Sequence, residues 1–272
     1  LSQLFVVGTP IGNLQDLSPR AVETLRSVDF VAAEDTRVTL KLLNHFAIKK
    51  PMVSYYEHNL REKGELILSR ILSGETCAVV TDAGMPCISD PGEDLVRLCA
   101  EHGVLVTVIP GPSAAVSALA VSGLVTSRFT FEGFLSTNKA SRAKHLASLQ
   151  NECRTMIFYE APHKLLSTLS DLEEAFGADR PLSVCRELTK IHEEILRTTV
   201  GGARTHFGQT VPKGEFVLIV SGKEEEAPQF SLEEVCRIGR EMVASGMRAT
   251  DAAKELARTY GYKKADLYKA LL

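Results

Sequence analysis

Through residue 123 the chain alternates short β-branched runs with amphipathic stretches, and that alternation leaves few folds open. LFVVG (4–8), FVAAED (30–35), MVSYYE (52–57), CAVVTD (77–82) and VLVTVI (104–109) have the length and composition of strands. Between them, 18–28, 36–47, 60–73 and 91–102 read as helices, and a small-residue helix covers 112–122. Ser18 before Pro19 is an N-cap followed by a first-turn proline, and Gly74 ends the third helix. Strands separated by helices in this way run parallel, with helices on both faces of the sheet. An open parallel α/β domain is therefore expected over 1–123.

The pattern changes after residue 124. FTFEGF (129–134), TMIFYE (155–160), PLSVCREL (181–188), EILRTTV (194–200) and EFVLIV (215–220) are five further strand candidates. Helices near 138–151 and 162–176 separate the first three, whereas the last three have shorter connections. That spacing implies a second α/β domain over 124–222 with a mixed sheet. KEEEAPQ (223–229) reads as a charged linker, and 231–244, 249–259 and 264–272 as three short helices. The expected fold class is thus α/β, with two α/β domains and a small helical C-terminal region over 230–272. Tight spacing and basic residues there suit either a helix-turn-helix-like RNA contact or a plain solvated tail.

Ordinary composition excludes several classes. At 44% hydrophobic and 24% charged residues the chain reads as globular. A net charge of −3 argues against a wholly basic nucleic-acid coat protein, though not against local basic patches. No apolar run reaches transmembrane length, so no membrane partner is expected. The first residue is Leu1 rather than Met, which implies removal of an initiator or short leader. Six cysteines without a C-x-x-C pair read as reduced thiols in a cytoplasmic protein, and histidine spacing offers no metal site.

Four loops raise the question of a ligand. Gly8–Asn13, Glu34–Arg37, Asp82–Pro86 and Pro110–Ala114 each follow a strand of the first sheet. Open α/β sheets bind ligands beyond the carboxyl ends of their strands. Glycine admits close backbone approach and proline stiffens a loop, so main-chain groups there can read a nucleoside-like molecule. Asp35, Asp82 and Asp90 make the region acidic, which suits a cation better than a phosphate. The phosphate-cradling G-x-x-x-x-G-K-[ST] and the dinucleotide G-x-G-x-x-G are both missing. One rival pattern is Gly111-Pro112-Ser113-Ala114-Ala115, a degraded nucleophile elbow followed by Asp171 and His192 in hydrolase order. Helix capping explains Ser113 better than nucleophilic catalysis does.

LFVVGTPIGNLQDLSPRAVETLRSVDFVAAEDTR, VVTDAGMPCISDPG, VIPGPSAAVSALAVSGL, FTFEGFL, FYEAPHKL and RELTKIHEE together resemble the tetrapyrrole-methylase-like class of S-adenosylmethionine enzymes. Within that class the match is to the branch that 2′-O-methylates a cytidine ribose in 16S ribosomal RNA. GTPIGN and DAGMP depart from the loops of the porphyrin-modifying members and point toward the RNA branch. The resemblance implies two α/β domains with S-adenosylmethionine in the cleft between them, no metal, and a homodimer acting on the small ribosomal subunit. It places the cofactor against Asp82, Ala83, Gly84 and Met85, and against Ser113, Ala114 and Ala115, with Pro10 lining the cleft. From the second domain it implies contributions near Phe158 and Tyr159, Glu187 and Leu188, and Gly214 and Glu215.

A ribose hydroxyl is a poor nucleophile, so a base or an electropositive group is expected beside it. Candidates are Asp35, Arg37, Glu160, His163, Glu187 and Lys190. Phosphate contacts are expected from Arg37, Lys41, Lys139, Arg142 and Lys144, and from Lys263 and Lys264 in the C-terminal helices. Alternatives are a tetrapyrrole or protein-side-chain methylase of the same class, a serine hydrolase through Ser113, and a non-catalytic RNA-binding module.

Overall fold

The computed structural model describes residues 2–209, 211–224 and 230–272. Most of the expected linker, residues 225–229, lies outside them. Five strands, β1 (Gln3–Val7), β2 (Phe30–Ala33), β3 (Met52–Ser54), β4 (Thr76–Val80) and β5 (Leu105–Ile109), alternate with helices α1 (Pro19–Ser27), α2 (Thr36–His45), α3 (Leu60–Leu72), α4 (Glu93–Glu101) and α5 (Ala114–Val121). The strands form one sheet in the order β3-β2-β4-β1-β5, and every pairing is parallel. Its pleat sorts the core into two layers. Leu4, Val6, Phe30, Ala32, Cys77 and Val79 pack on one face, and Val7, Val31, Ala33, Ala78 and Val80 on the other.

A second sheet holds β6 (Phe129–Phe134), β7 (Thr155–Glu160), β8 (Pro181–Arg186), β9 (Glu194–Thr199) and β10 (Phe216–Val220), in the order β6-β7-β10-β8-β9. Only β6 and β7 run parallel; the remaining pairs are antiparallel, so the sheet is mixed. Helices α6 (Lys139–Ser148), α7 (Leu165–Phe176) and α8 (Val200–Gly208) accompany it. Sequence reading carried β9 into Val200 and found no helix beyond, because Gly201 and Gly202 weaken helical propensity. Thr199 starts α8 by accepting the Gly202 N–H. The third strand is also shorter than its aromatic run suggests. Asn59 Oδ1 accepts the Tyr56 N–H and turns the chain, so the last ladder bond is from the Tyr55 N–H to Ala33 O at 2.8 Å.

Helix α5 joins the two sheets. Its Ala115, Ala118 and Leu119 pack with Ile157, Cys185, Val217 and Ile219 of the second sheet in one buried cluster. Residues 1–223 consequently form a single compact unit, although the expected boundary at 123/124 does separate the sheets in sequence. Residues 224–272 form another unit, in which α9 (Leu232–Ala244), α10 (Ala249–Tyr260) and α11 (Lys264–Leu271) close on Val235, Cys236, Ala253, Leu256 and Leu267. Ser231 and Glu234 open α9 with a reciprocal capping box. Among the described residues no helix is long and apolar enough to cross a membrane.

Two glycines make opposite predictions. A Cβ on Gly8 would lie 2.7 Å from Gly111 Cα and from Met85 Sδ, whereas one on Gly208 would meet nothing within 4 Å. Gly8→Ala should cost about 1–3 kcal/mol, as overpacking does. Gly208→Ala should add about 0.4–1 kcal/mol by reducing the freedom of the unfolded chain. Urea midpoints at constant m-value check both.

Candidate active site

The strand-end loops of the first sheet are tied by their own backbone. Thr9 N–H donates to Gly84 O at 2.8 Å, Gly84 N–H returns to Thr9 O at 3.1 Å, and Gly8 N–H reaches Ile109 O at 3.1 Å. Thr9 Oγ1 adds a bond to Thr81 O at 3.1 Å. This lacing brings the loops after β1, β4 and β5 to one edge. The middle loop turns through left-handed backbone at Gly84 and, without glycine, at Cys87 (φ 72°) and Ser89 (φ 63°). Non-glycine residues in that region cost free energy and gather at functional sites.

Facing these loops is a row across the second sheet. Tyr159, Val217 and Cys185 are cross-strand partners on β7, β10 and β8, so their side chains share one face. The Tyr159 hydroxyl accepts the Ala115 N–H at 3.1 Å and so pins the start of α5 to β7. Phe131 and Phe134 meet the Tyr159 ring edge-on, at 5.1 and 5.5 Å between centroids. Burial raises the Tyr159 hydroxyl above the ordinary tyrosine range, so it stays a neutral partner.

Between loops and row lies a cavity of about 530 Å³. Ala83, Gly84, Met85, Ser113 and Ala114 line one side; Tyr159, Leu188 and Glu215 line the other. Ile11 takes the place expected of Pro10, which does not line it. Asp82 stands outside the wall, accepting the Asp35 N–H at 3.1 Å. Ala115 is buried beneath the wall with its N–H spent on Tyr159. Phe158 is a correction: the pleat turns it into the core on the far face, with Met156 and Leu169. Gly214 lies outside the wall, at a left-handed φ of 92°, and its missing Cβ leaves room for the Glu187 side chain, since a Cβ would lie 2.5 Å from Glu187 Cγ. Ser113 heads α5 but makes no side-chain cap bond, contrary to the capping expectation. Ile88, Ser89, Phe134, Cys185 and Val217 complete the wall and were not picked out from sequence. Their signal is the register of the second sheet, which no local pattern carries.

The acidic character is concentrated beside Asp90. Burial, then the nearby Glu34 carboxylate, pushes Asp90 up to about 6, and the same two causes raise Asp82. Asp35 behaves differently. Its hydrogen bonds from the Arg37 side chain and backbone hold it down to about 2, and neither residue lines the cavity. Both are thereby removed from the proton-transfer candidates.

Glu160 is part of the cavity wall, but its carboxylate is engaged. At the end of β7 its side chain lies on the face opposite Tyr159 and is 4% exposed. The Thr168 hydroxyl donates to one carboxylate oxygen, and the Ala161 N–H donates to the other at 2.8 Å. Arg142 Nη2 donates to Thr168 Oγ1 at 2.8 Å, and Arg142 Nε sits 2.5 Å from the Asp171 carboxylate. Glu160 therefore anchors the 161–164 corner of the cavity wall, with both carboxylate oxygens engaged. Arg142 is buried and committed to that anchor, so it is unavailable to RNA. The rival hydrolase triad is not assembled: Asp171 serves Arg142, and His192 is exposed outside the cavity lining.

At the other end, Lys190 Nζ donates to Glu187 Oε1 at 2.8 Å and to Glu215 Oε2 at 2.9 Å. Burial opposes its charge, but those two bonds outweigh it and hold the ammonium above its ordinary range. The Lys190 bond also leads the causes that keep Glu187 below the usual glutamate range. Lys190 is thus a fixed cation, not a proton acceptor. Its loop bends through left-handed Glu187 (φ 50°) and Thr189 (φ 66°). Gly12 lets it come close, since a Cβ there would lie 2.5 Å from Lys190 Cγ. His163 lines the cavity, and among the described residues its side chain has no hydrogen-bond partner. Arg37, Lys41, Lys139 and Lys144 are exposed on the first unit, as are Lys263 and Lys264 on the second.

A nucleoside carrying a cation fits these walls. The volume falls in the roughly 300–1,000 Å³ range of small-molecule sites. Apolar Ile11, Met85 and Val217 accompany main-chain groups and the acidic Asp90 and Glu215. Among the described residues no cluster of three or more metal-ligating side chains occurs.

Known proteins are similar to this chain over most or nearly all of its length. "Ribosomal RNA small subunit methyltransferase I" of Synechocystis is 47% identical over 270 residues, 99% of this chain and 97% of its own. The protein of the same name from Thermotoga maritima is 49% identical over 224 residues, 82% of this chain and 100% of its own. A uroporphyrin-III C-methyltransferase from Thermus thermophilus, solved with S-adenosyl homocysteine, has the same fold. Its TM-score is 0.57 and identity 16%, covering 80% of this chain and 97% of that one. With residues 3–203 matching its family model, the chain belongs to the Tetrapyrrole (Corrin/Porphyrin) Methylases.

Proposed function

We propose that this chain is an S-adenosylmethionine-dependent methyltransferase that modifies 16S ribosomal RNA of the small subunit, at the 2′-hydroxyl of a cytidine, in the cytoplasm. Near full-length relatedness to enzymes named as small-subunit rRNA methyltransferases carries the reading. The cavity supports it, since its main-chain edge and carboxylates suit a cationic nucleoside.

The cofactor supplies an electrophilic methyl group on a sulfonium whose charge disappears on transfer. The protein's part is placement and proton handling. Ala83, Gly84 and Met85 offer main-chain groups to the nucleoside, and Asp90 and Glu215 supply negative charge beside a cation. Ile11, Met85, Phe216 and Val217 keep water from the reacting centre. Holding the ribose oxygen in line can contribute up to about 7–11 kcal/mol. His163 receives the hydroxyl proton, because it alone of the candidates stands on the wall without a partner among the described residues. A homodimer belongs to the same reading, with Leu105 and Val108 on the edge strand β5 and Val116 on α5 as exposed apolar surface for it.

Three measurements test this. Labelled S-adenosylmethionine incubated with unmodified small subunits should leave one methyl on a cytidine ribose, located by nuclease mapping; label on a base or on protein would overturn the reading. His163→Asn should lower single-turnover transfer about 10²–10⁴-fold while cofactor affinity holds. Unchanged turnover would dismiss His163. Sedimentation should give twice the chain mass, and a monomer at working concentration would remove the dimer.

A further inference from the structure

The cavity has two unlike flanks. On the first-sheet side it adjoins a second cavity of about 590 Å³, and Asp90 and Ser89 line both. Glu34, Glu57, Glu93 and Asp94 line that neighbour, with His58 as its one basic group. A phosphodiester brought there would meet like charge, which costs binding energy. Arg37 does not relieve the field, because its guanidinium is paired with Asp35 at 2.6 Å.

The opposite flank differs. A groove of about 820 Å³ runs between α6 and α7, with Lys139, Lys164, Ser167 and Ser170 among its lining. Asp171 and Glu174 also line it, but Asp171 is spent on Arg142. Among the described residues neither Lys139 nor Lys164 has an ion-pair partner. The groove and the cavity share no lining residue but are joined along the chain. Lys164 directly follows His163 of the cavity wall, and Glu160 of that wall holds Thr168 of α7.

Resting on the RNA-methylation reading, we propose that the α6–α7 groove carries the sugar-phosphate backbone of the substrate RNA, with Lys139 and Lys164 as phosphate contacts. The acidic first-sheet flank takes no phosphate. The strand therefore reaches the cavity from the second-sheet side, and the rim expected at Arg37 and Lys41 is not part of the track. Phosphate contacts of this kind position the RNA without reading its bases. Long, unpaired cations suit that task.

Salt dependence tests the assignment. Binding of a 16S rRNA transcript would be measured over a range of KCl concentrations for the wild-type chain, Lys139→Ala/Lys164→Ala and Arg37→Ala. Each phosphate contact contributes about 0.7 to the slope of log K against log salt on single strands. The double lysine variant should flatten the slope by roughly 1.4 with cofactor affinity unchanged, and Arg37→Ala should keep the wild-type slope. An unaltered slope in the lysine variant, or equal flattening in Arg37→Ala, would overturn the groove assignment. Methyl transfer by the wild-type chain separates the two levels. Transfer to ribosomal RNA with unaltered slopes sinks only the groove, whereas no transfer to RNA sinks the reading beneath it.

Discussion

Helix α5 belongs by chain order to the first sheet and by packing to the second. Ala115, Ala118 and Leu119 are buried against Ile157, Val217 and Ile219. Small side chains let the helix sit close to the second sheet, and closeness lets the Tyr159 hydroxyl reach the Ala115 N–H. A bulkier residue at 115 or 118 would wedge the layers apart. The cavity is the space left where this contact ends, so its width is set by the volume of a few alanines. That dependence also explains why residues 1–223 behave as one unit despite containing two sheets.

The loops around the cavity are shaped by backbone more than by side chains. Gly8 and Gly111 meet nearly atom to atom, and Gly12 admits the Lys190 loop. Opposite them, Cys87, Ser89, Glu187 and Thr189 hold left-handed backbone without being glycine. Such conformations persist only where surrounding structure over-determines them. Lys190 supplies that restraint for Glu187, through bonds to Glu187 and Glu215. A charged residue singled out in sequence as a catalytic candidate also fastens a strained loop.

Much of the fold was legible because period and punctuation agree in the first half. Every strand of the parallel sheet but β3 leads into glycine, aspartate or proline, and Ser18-Pro19 marks its helix without ambiguity. Helix α8 escaped because Gly201 and Gly202 lower local helical preference, which tertiary packing of Val200, Ala203 and Phe207 overrides. At the site, the loop residues 83–85 and 113–114 were legible from composition and resemblance. Facing direction was not. Phe158 and Glu160 flank Tyr159 in sequence, yet the pleat sends Phe158 into the far core, while Glu160 reaches the wall only at a corner where Thr168 and Ala161 hold its carboxylate. Arg142 stands in a basic run on α6, yet shares its buried face with Leu146. A charge run shows how many cations a helix carries, not which of them the packing will spend.

A methyltransferase for RNA must attract a cation and a polyanion to neighbouring points. Opposite demands on one surface would cancel, since charges closer than the Debye length of about 8–10 Å act on both ligands. Segregation resolves the conflict. Burial first, and the nearby Glu34 carboxylate second, resist the ionisation of Asp90 and Asp82, and Glu34, Asp82 and Asp90 gather negative charge on one flank. Lys139 and Lys164 lie on the other, in a groove whose buried arginine is already neutralised by Asp171. The net charge of −3 conceals this division, because it averages two surfaces that work only when kept apart. On the groove proposal, suitability for RNA depends on where unpaired lysines stand relative to the carboxylates, rather than on how many there are.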